Sequence, residues 1–554
     1  MSGVVPRTPF DRTTALTRLA DERFDVVVIG GGITGAGVAL DASARGLRTA
    51  LIERDDFASG TSSKSSKMVH GGLRYLQQKE YLLVYENLAE RQRLLDNAPH
   101  LVEPLPFLIP IFGKDGIVNE AVAKAYNTAL WLYDVTGGLR IGKRHRRIDV
   151  DEIMRQVPAL RRDRIAAGFL YYDARADDAR LTLAITRTAV LDHGAVALNH
   201  SPVTGVVKDG DTVKGVELAD GTVVRADAVV NAGGVWADEI RGLDEGVNPG
   251  TLRPAKGVHI TVAYDKLPTN VAVVMPVPSD RRSIFVVPWG DRVYLGTTDT
   301  DYDGPIDDPR CTAEDIAYIL DAVNLFVTEK VSADDVVATW AGLRPLVRSA
   351  GSERTADLSR RHSVTTSSSG MVTVTGGKLT TYRKMAADAV DAVEKALSLP
   401  RRRRRRSPTR RLRLRGAEGT GSLRADGAAA RLGVDAALLD HLTSRYGGEA
   451  RTVLAMIEAD PELAAPLVPT LPYVRAEAVY AARYEMAATL DDVLSRRTRA
   501  LLLGREACVA AAEDVARLIA PELGWRPQDV AAEVQAFLAV AAHAVRDSAV
   551  EAGA

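Results

Sequence analysis

The stretch DVVVIGGGITGAG, Asp25–Gly37, decides the first element of the fold. Val26–Ile29 is a continuous apolar run, the pattern of a strand buried on both faces. Gly30, Gly32 and Gly35 follow in the spacing GxGxxG. In that spacing the first glycine permits a tight turn, the second lets backbone approach a pyrophosphate, and the third lets helix pack on strand. ITGAGVALDASARG is small, apolar and helix-compatible, and Gly46 supplies the stop. LRTALIERDD returns as a second strand carrying Glu53, eighteen residues beyond Gly35. This is a βαβ unit of a parallel sheet. A pyrophosphate would sit on the helix N-terminus, where free N–H groups and the helix dipole favour an anion, and Glu53 would accept from a ribose hydroxyl. Strand, helix and acid together make this a dinucleotide fingerprint rather than a structural glycine turn.

Working outward, further apolar strands end in glycine. GDTVKGVELADGTVVRADAVVNAGG predicts a hairpin at Asp220–Gly221 and then a buried strand closing on Ala232 and Gly233. RSIFVVPWGDRVYLGTTDT reads as two strands joined by a Gly-Asp turn, and SGMVTVTGGKLTTYRKMAADAV as strand, glycine turn and long helix. Repeated glycine-marked strand ends suit a large cofactor enclosed along its length, so the fingerprint favours FAD over NAD. TGGK is not a P-loop, because Leu379 stands where a Mg²⁺-binding Ser or Thr is required.

The bulk numbers bound the class. The 554 residues exceed one domain, and 46% hydrophobic with 26% charged residues is ordinary for a globular protein. Cys311 and Cys508 are few and far apart, which points to a reducing compartment and no disulfide framework. No apolar run reaches the ~18 residues that span a bilayer, and no signal peptide is evident, so a cytoplasmic location is expected. No His/Cys/Asp cluster has metal spacing and no nucleophile elbow appears. Arg401–Arg415, RRRRRRSPTRRLRLR, holds ten arginines and no acid on an otherwise acidic chain. Without interleaved aromatics it is a poor nucleic-acid signature. It reads as a self-repelling linker at 400–415 between an α/β body, 1–399, and a helical region at 416–554 rich in Ala, Leu, Glu and Arg.

DVVVIGGGITGAG, TSSKSSKMVHGGLRY, YYDARADDARL, VVNAGGVWAD, KGVHI, GTTDTDY, AGLRPL, TGGKLTTYRKMA and TLDDVLSRRT together resemble the FAD-dependent, quinone-linked glycerol-3-phosphate dehydrogenases. The resemblance runs from about Arg23 to Trp525; the run Arg401–Arg406 departs from the family pattern. It implies a GR2-type, Rossmann-like FAD-binding domain (about 20–105, 165–250 and 335–399) and a substrate domain with an antiparallel sheet (about 106–164 and 251–334). A C-terminal all-helical domain completes the expected α/β architecture. It also implies oxidation of sn-glycerol 3-phosphate to dihydroxyacetone phosphate, with electrons passing from FAD to a membrane quinone. The chain would then lie on the inner face of the plasma membrane, as a homo-oligomer, a dimer.

That reaction needs cations for a phosphate dianion, a base near the hydroxyl, and charge to stabilise a developing alkoxide. The resemblance assigns substrate roles to Arg74, His259, Arg344, Arg360 and Lys378, with His259, Arg344 and Lys378 catalytic. The extended geometry imposed by Pro345 suits Arg344 as a projecting anchor. Cofactor roles fall to Gly30, Gly32, Gly35 and Glu53, to Thr61, Ser62, Ser63 and Ser66, to His70, Gly71 and Gly72, to Ala232 and Gly233, and to Gly377, Lys378, Leu379 and Thr380. Gly71 and Gly72 would let backbone pass close to the flavin ring. Asp177, Asp178 and Arg180 read as an N-cap with a helix-start salt pair. The arginine block suits an anionic lipid surface and equally a solvated, disordered linker. Three readings compete: a flavin oxidase using oxygen, a flavoenzyme for an amine or 2-hydroxy acid, and a non-catalytic dinucleotide sensor or scaffold.

Overall fold

The computed structural model describes residues 10–77, 80–113, 120–277, 282–348, 361–400, 404–425, 427, 430 and 433–544. The fingerprint folds as its spacing predicts: β1 (Arg23–Ile29), α1 (Ile33–Ala44) and β2 (Thr49–Ile52), with the two strands parallel. The chain then runs through α2 (Tyr81–Asn97), β3 (Val102–Phe112), α3 (Glu120–Thr136), β4 (Ile165–Ala176) and α4 (Asp178–Leu191). It returns as β5 (Val223–Asn231), crosses out as β6 (Leu252–Ala263), β7 (Arg292–Gly296) and β8 (Val336–Val347), and returns once more as β9 (Val372–Thr375) followed by α5 (Tyr382–Ala396).

These strands sort into two sheets. In an eight-stranded sheet, β5 pairs parallel with β1 and with β9, so three glycine-marked strand ends lie side by side. The α1 and α5 helices cover this sheet; Gly37 has no Cβ, and one placed there would meet the Tyr382 ring at 2.7 Å. A ten-stranded sheet holds β3, β4, β6, β7 and β8. Its pairs are antiparallel, as expected, except that Ala272–Pro276 runs parallel to β3. The strand pairing cuts across the segments expected from sequence. β4 and β8, assigned to the FAD-binding segments, belong to the second sheet, because β4 pairs along its whole length with β3 and β8 with β6. Long strands bridging two sheets carry no local mark of which one they join.

After Thr375 the described residues form no further strand. The C-terminal helices enclose two apolar clusters of their own and dock on the first sheet through buried charge. Arg497, 1% exposed, donates to both carboxylate oxygens of Asp56, and Arg499 reaches Asp177 and Asp178. Removing one partner of such a pair strands the other and costs about 3–5 kcal/mol. The arginine segment also departs from expectation. Over 404–415 it is not a free tether: Ser407 and Thr409 hydroxyls donate to Asp41, Leu414 is buried, and Arg415 pairs with Asp192 and Glu449. Local acids and backbone carbonyls absorb the charge that would otherwise make it self-repelling. Arg401–Arg403 lie outside the described residues.

Candidate active site

The C-terminal ends of β1, β5 and β9 open into a cavity of about 540 Å³, a ligand-sized space, which the second sheet closes from above. Its floor is main chain. Gly30 takes φ +106°, and a Cβ there would lie 2.6 Å from the Ala232 carbonyl. At Gly35 a Cβ would come within 1.8 Å of the Gly30 carbonyl, so the third glycine packs helix against turn, behind the cavity wall. Gly32 caps α1 with no side chain, and the Ser62 hydroxyl accepts from Ile33 N–H at 2.8 Å. Glu53 accepts from Gly31 N–H at 2.5 Å and from Asp55 N–H at 2.9 Å. Burial pushes its carboxyl up to about 7, those two N–H bonds pulling the other way. A carboxylate held by glycine backbone beside a bare helix start is a chemical match for a ribose and pyrophosphate.

The opposite wall is side chain. His259 on β6 is 2% exposed, with its ring flat against Trp340 at 4.8 Å and 7°. Its Nε2 meets the Ser66 hydroxyl at 2.8 Å, while Nδ1 has no hydrogen-bond partner among the described residues. Gly296 on β7 makes room for the ring, since a Cβ there would fall 2.2 Å from its Cδ2. Burial, then the charges of Arg344 and Lys67, hold the imidazole well below its ordinary pKa, so it is neutral at pH 7. Arg344 on β8 lies half-buried across Gly257, bonded to Asp299 at 3.1 Å and to the Thr297 hydroxyl at 3.1 Å. Lys378, at the turn after β9, puts its ammonium 3.7 Å from the centre of the Tyr75 ring.

The cavity brings together Gly30, Gly32, Glu53, Thr61, Ser62, Ser66, His70, Ala232, Gly233, Gly377, Lys378, Leu379, Thr380, His259 and Arg344. Four expected cofactor residues do not line it. Gly35 has the packing role just given. Ser63 turns its carbonyl to Lys67 and Arg499. Gly71 is pressed against Leu88 and the Tyr133 hydroxyl, and Gly72 against the Tyr75 ring, so their missing side chains admit protein rather than ligand. Arg74 opens a short helix, Arg74–Gln77, but its side chain and the whole of Arg360 lie outside the described residues.

Sequence reasoning missed the support behind these groups. Asp178, fully buried, accepts from Ser65 and Lys67 and pairs with Arg499, which fixes the loop presenting Ser66 to His259. Burial, reinforced by Arg499, lowers the Lys67 pKa to about 8. The reading of ADDARL was half right: Asp177 caps α4 by accepting from Arg180 N–H, but Arg180 pairs with Glu485 of the helical region. Tyr75, Trp236 and Phe285 add aromatic walls; the first two sit inside the HGGLRY and AGGVWAD segments, where the glycines and the arginine drew the expectations instead. Asp56, His200 and Asp492 also cluster, but Asp56 accepts from Arg496, Arg497 and Asn199, which fills it with hydrogen bonds from protein.

Comparison with known proteins finds family matches over both parts of the chain. Residues 25–383 match the family model described as FAD dependent oxidoreductase, and 407–530 the C-terminal domain of alpha-glycerophosphate oxidase. The glycerol-3-phosphate dehydrogenase 2 of Mycobacterium tuberculosis is 42% identical over 540 residues, covering 96% of this chain and 90% of the relative. The glycerol-3-phosphate dehydrogenase of Mycobacterium leprae is 40% identical over 538 residues, with 96% and 90% covered. The crystal structure of the Bacillus halodurans glycerol-3-phosphate dehydrogenase with FAD superposes with a TM-score of 0.78 at 33% identity, over 97% of this chain and 98% of that one.

Proposed function

We infer that this chain, which belongs to the FAD-dependent oxidoreductase family and within it to the glycerol-3-phosphate dehydrogenases, oxidises sn-glycerol 3-phosphate to dihydroxyacetone phosphate. FAD is its cofactor. The observation that carries the substrate reading is the meeting of Arg344, Lys378 and His259 in the cavity whose floor is the glycine cradle. The cradle would hold the pyrophosphate, Glu53 a ribose, and the N–H groups of Leu379 and Thr380 the pyrimidine edge of the ring. Bound FAD supplies the acceptor for the hydride leaving the substrate carbon.

The protein's own work is grip and proton transfer. The Arg344 guanidinium, held by Asp299, Thr297 and the Lys256 and Thr298 carbonyls, supplies positive charge for a phosphate, whose oxygens would replace some of those contacts to reach its forked donors. Lys378 adds a point charge beside it. His259 takes the hydroxyl proton, and its resting environment explains why it waits. Without substrate, burial and the Arg344 charge keep the ring a weak base. A phosphate dianion against Arg344 offsets that charge and raises the basicity of the imidazole when the alcohol is present.

Electrons then leave for a membrane quinone, the chain lying on the cytoplasmic face of the membrane; no helix among the described residues is long and apolar enough to cross it. The match of 407–530 to an oxidase domain keeps molecular oxygen as the second reading. Turnover with glycerol 3-phosphate separates them: dihydroxyacetone phosphate with reduction of a short-chain ubiquinone supports the proposal. Stoichiometric peroxide with no quinone reduction overturns the acceptor, and absence of dihydroxyacetone phosphate overturns the reaction.

A further inference from the structure

We propose that Tyr133 and Asp173, which lie behind the cavity, are positioning residues for Lys378, acting through the main chain of Gly71–Gly72 and the Tyr75 ring. Lys378 is a substrate cation on the reading above, and the proposal rests on that reading to name what sets its position. The short strand Met68–Val69 pairs antiparallel with β4, Met68 opposite Arg175 and Val69 opposite Ala174. The next pair in that register would be His70 with Asp173, and there the ladder stops. Beyond it, side chains hold the main chain that a partner strand would have held. Gly71 N–H donates to the Tyr133 hydroxyl at 2.9 Å and to Asp173 at 3.3 Å, and the Gly71 carbonyl accepts from Asn87 at 2.9 Å.

The holding groups are themselves fixed. Asp173 is 1% exposed and accepts from Arg91 at 2.6 Å and from the Tyr133 hydroxyl at 2.7 Å. Arg91, fully buried, also donates to the carbonyls of Tyr172 and Gly138. Burial pushes the Tyr133 phenol well above its ordinary pKa, so it stays protonated: its hydrogen goes to Asp173 and its lone pair faces Gly71 N–H. Polar groups from α2, α3 and β4 thus converge on a single glycine peptide. Apolar residues packed in the same space would stabilise a fold as well as a buried ion pair does. What the polar cluster adds is a fixed place for Gly71.

That place is passed on to the cavity. Gly72 takes φ +82°, and a Cβ there would lie 2.4 Å from the Tyr75 ring and 3.3 Å from Lys378 Nζ. The Gly72 carbonyl accepts from Tyr75 N–H at 2.9 Å, at the start of the short helix that carries the ring. The Lys378 ammonium, 3.7 Å from the ring centre, is within cation–π range. His70 N–H donates to the Thr380 hydroxyl at 3.2 Å, which stitches the turn bearing Lys378 to the same loop. Lys378 and Tyr75 line the cavity, whereas Tyr133 and Asp173 do not. A shift of the Gly71 peptide therefore moves ring and cation together, and a displacement of about 1 Å at a reacting site costs on the order of 100-fold in rate.

Tyr133→Phe tests the proposal, because it removes the hydroxyl and keeps the buried ring. Asp173→Asn is the harsher change, since it leaves Arg91 buried without its counter-ion. The Tyr133→Phe holoenzyme is expected to keep native flavin content, while kcat/KM for glycerol 3-phosphate per bound flavin falls on the order of ten-fold. In a Lys378→Met background the same change is expected to cost less than about two-fold, because the residue it acts through is gone. Crystal structures of the native and Tyr133→Phe holoenzymes give a readout without turnover: the Tyr75 ring and Lys378 Nζ are expected to move by about 1 Å. Equal losses in both backgrounds, native kinetics in Tyr133→Phe, or an unmoved Lys378 overturn the proposal. So does Tyr133→Phe protein recovered without flavin, because the cluster is then a folding element. If glycerol 3-phosphate fails to bleach the native flavin, the catalytic reading falls, and the crystal comparison alone decides whether Tyr133 sets Lys378.

Discussion

The two walls of the cavity are built from different material. The floor is backbone: Gly30, Gly32 and Gly35 matter for the side chains they lack, and the polar groups there are N–H donors and one carboxylate. The roof is side chain: His259, Arg344 and Lys378 come from strands or turns spread over more than a hundred residues, and His259 and Arg344 are locked by neighbours such as Ser66, Trp340 and Asp299. On the proposed reading, a backbone floor would recognise what all dinucleotides share, and a side-chain roof what one substrate carries. Damage to the floor should therefore remove the cofactor, whereas damage to the roof should leave a yellow but slow enzyme.

The sharpest break in that contrast is Gly35→Ala. The new Cβ meets a backbone carbonyl that cannot turn away, so a loss above about 4 kcal/mol is expected, with protein recovered unfolded or colourless. A folded, fully flavinylated variant would show that the helix-turn contact is softer than described. On the roof, His259→Gln should retain flavin absorbance while kcat falls on the order of 10²- to 10⁴-fold in stopped-flow reduction. The native ring also has a pH signature. Its folded pKa is depressed, so between that value and the unfolded value of about 6.5 the unfolded chain binds a proton that the native protein refuses. Thermal melts should therefore lose stability as pH falls below about 6.5, and less so in His259→Gln.

Arg344→Gln comes next. Loss of a charged donor should lower kcat/KM for glycerol 3-phosphate roughly 10- to 100-fold and leave flavin content unchanged, as steady-state dye reduction would measure. Loss of flavin instead would place Arg344 with the floor. The smallest effect concerns Glu53, whose carboxyl lies near 7. A ribose hydroxyl donating to it favours the ionised form, so FAD affinity should weaken as pH drops below about 7, by at most ten-fold per unit. Fluorescence titration of the apoprotein would reveal the slope, and Glu53→Gln should flatten it.

The same contrast explains what could be read in advance. Gly30, Gly32, Gly35 and Glu53 were legible as a strand end, turn and helix start because their placement follows from spacing along one continuous segment. His259, Arg344 and Lys378 became legible through motifs that the resemblance supplied, and no periodicity links them. What escaped was the surrounding support. Trp340 stacks on His259 only because β6 and β8 pair in one register, and Asp178 fixes the Ser66 loop only once Arg499 arrives from the C-terminal helices. Gly71 and Gly72 misled for a related reason. A glycine announces close approach without saying whether a ligand or a tyrosine does the approaching.

Anaerobic titration of the purified holoenzyme tests the central claim most directly. Glycerol 3-phosphate should bleach the flavin stoichiometrically, while glycerol, which lacks the phosphate that Arg344 and Lys378 are proposed to hold, should not do so at matched concentration. Equal bleaching by both alcohols, or none by either, would contradict the account.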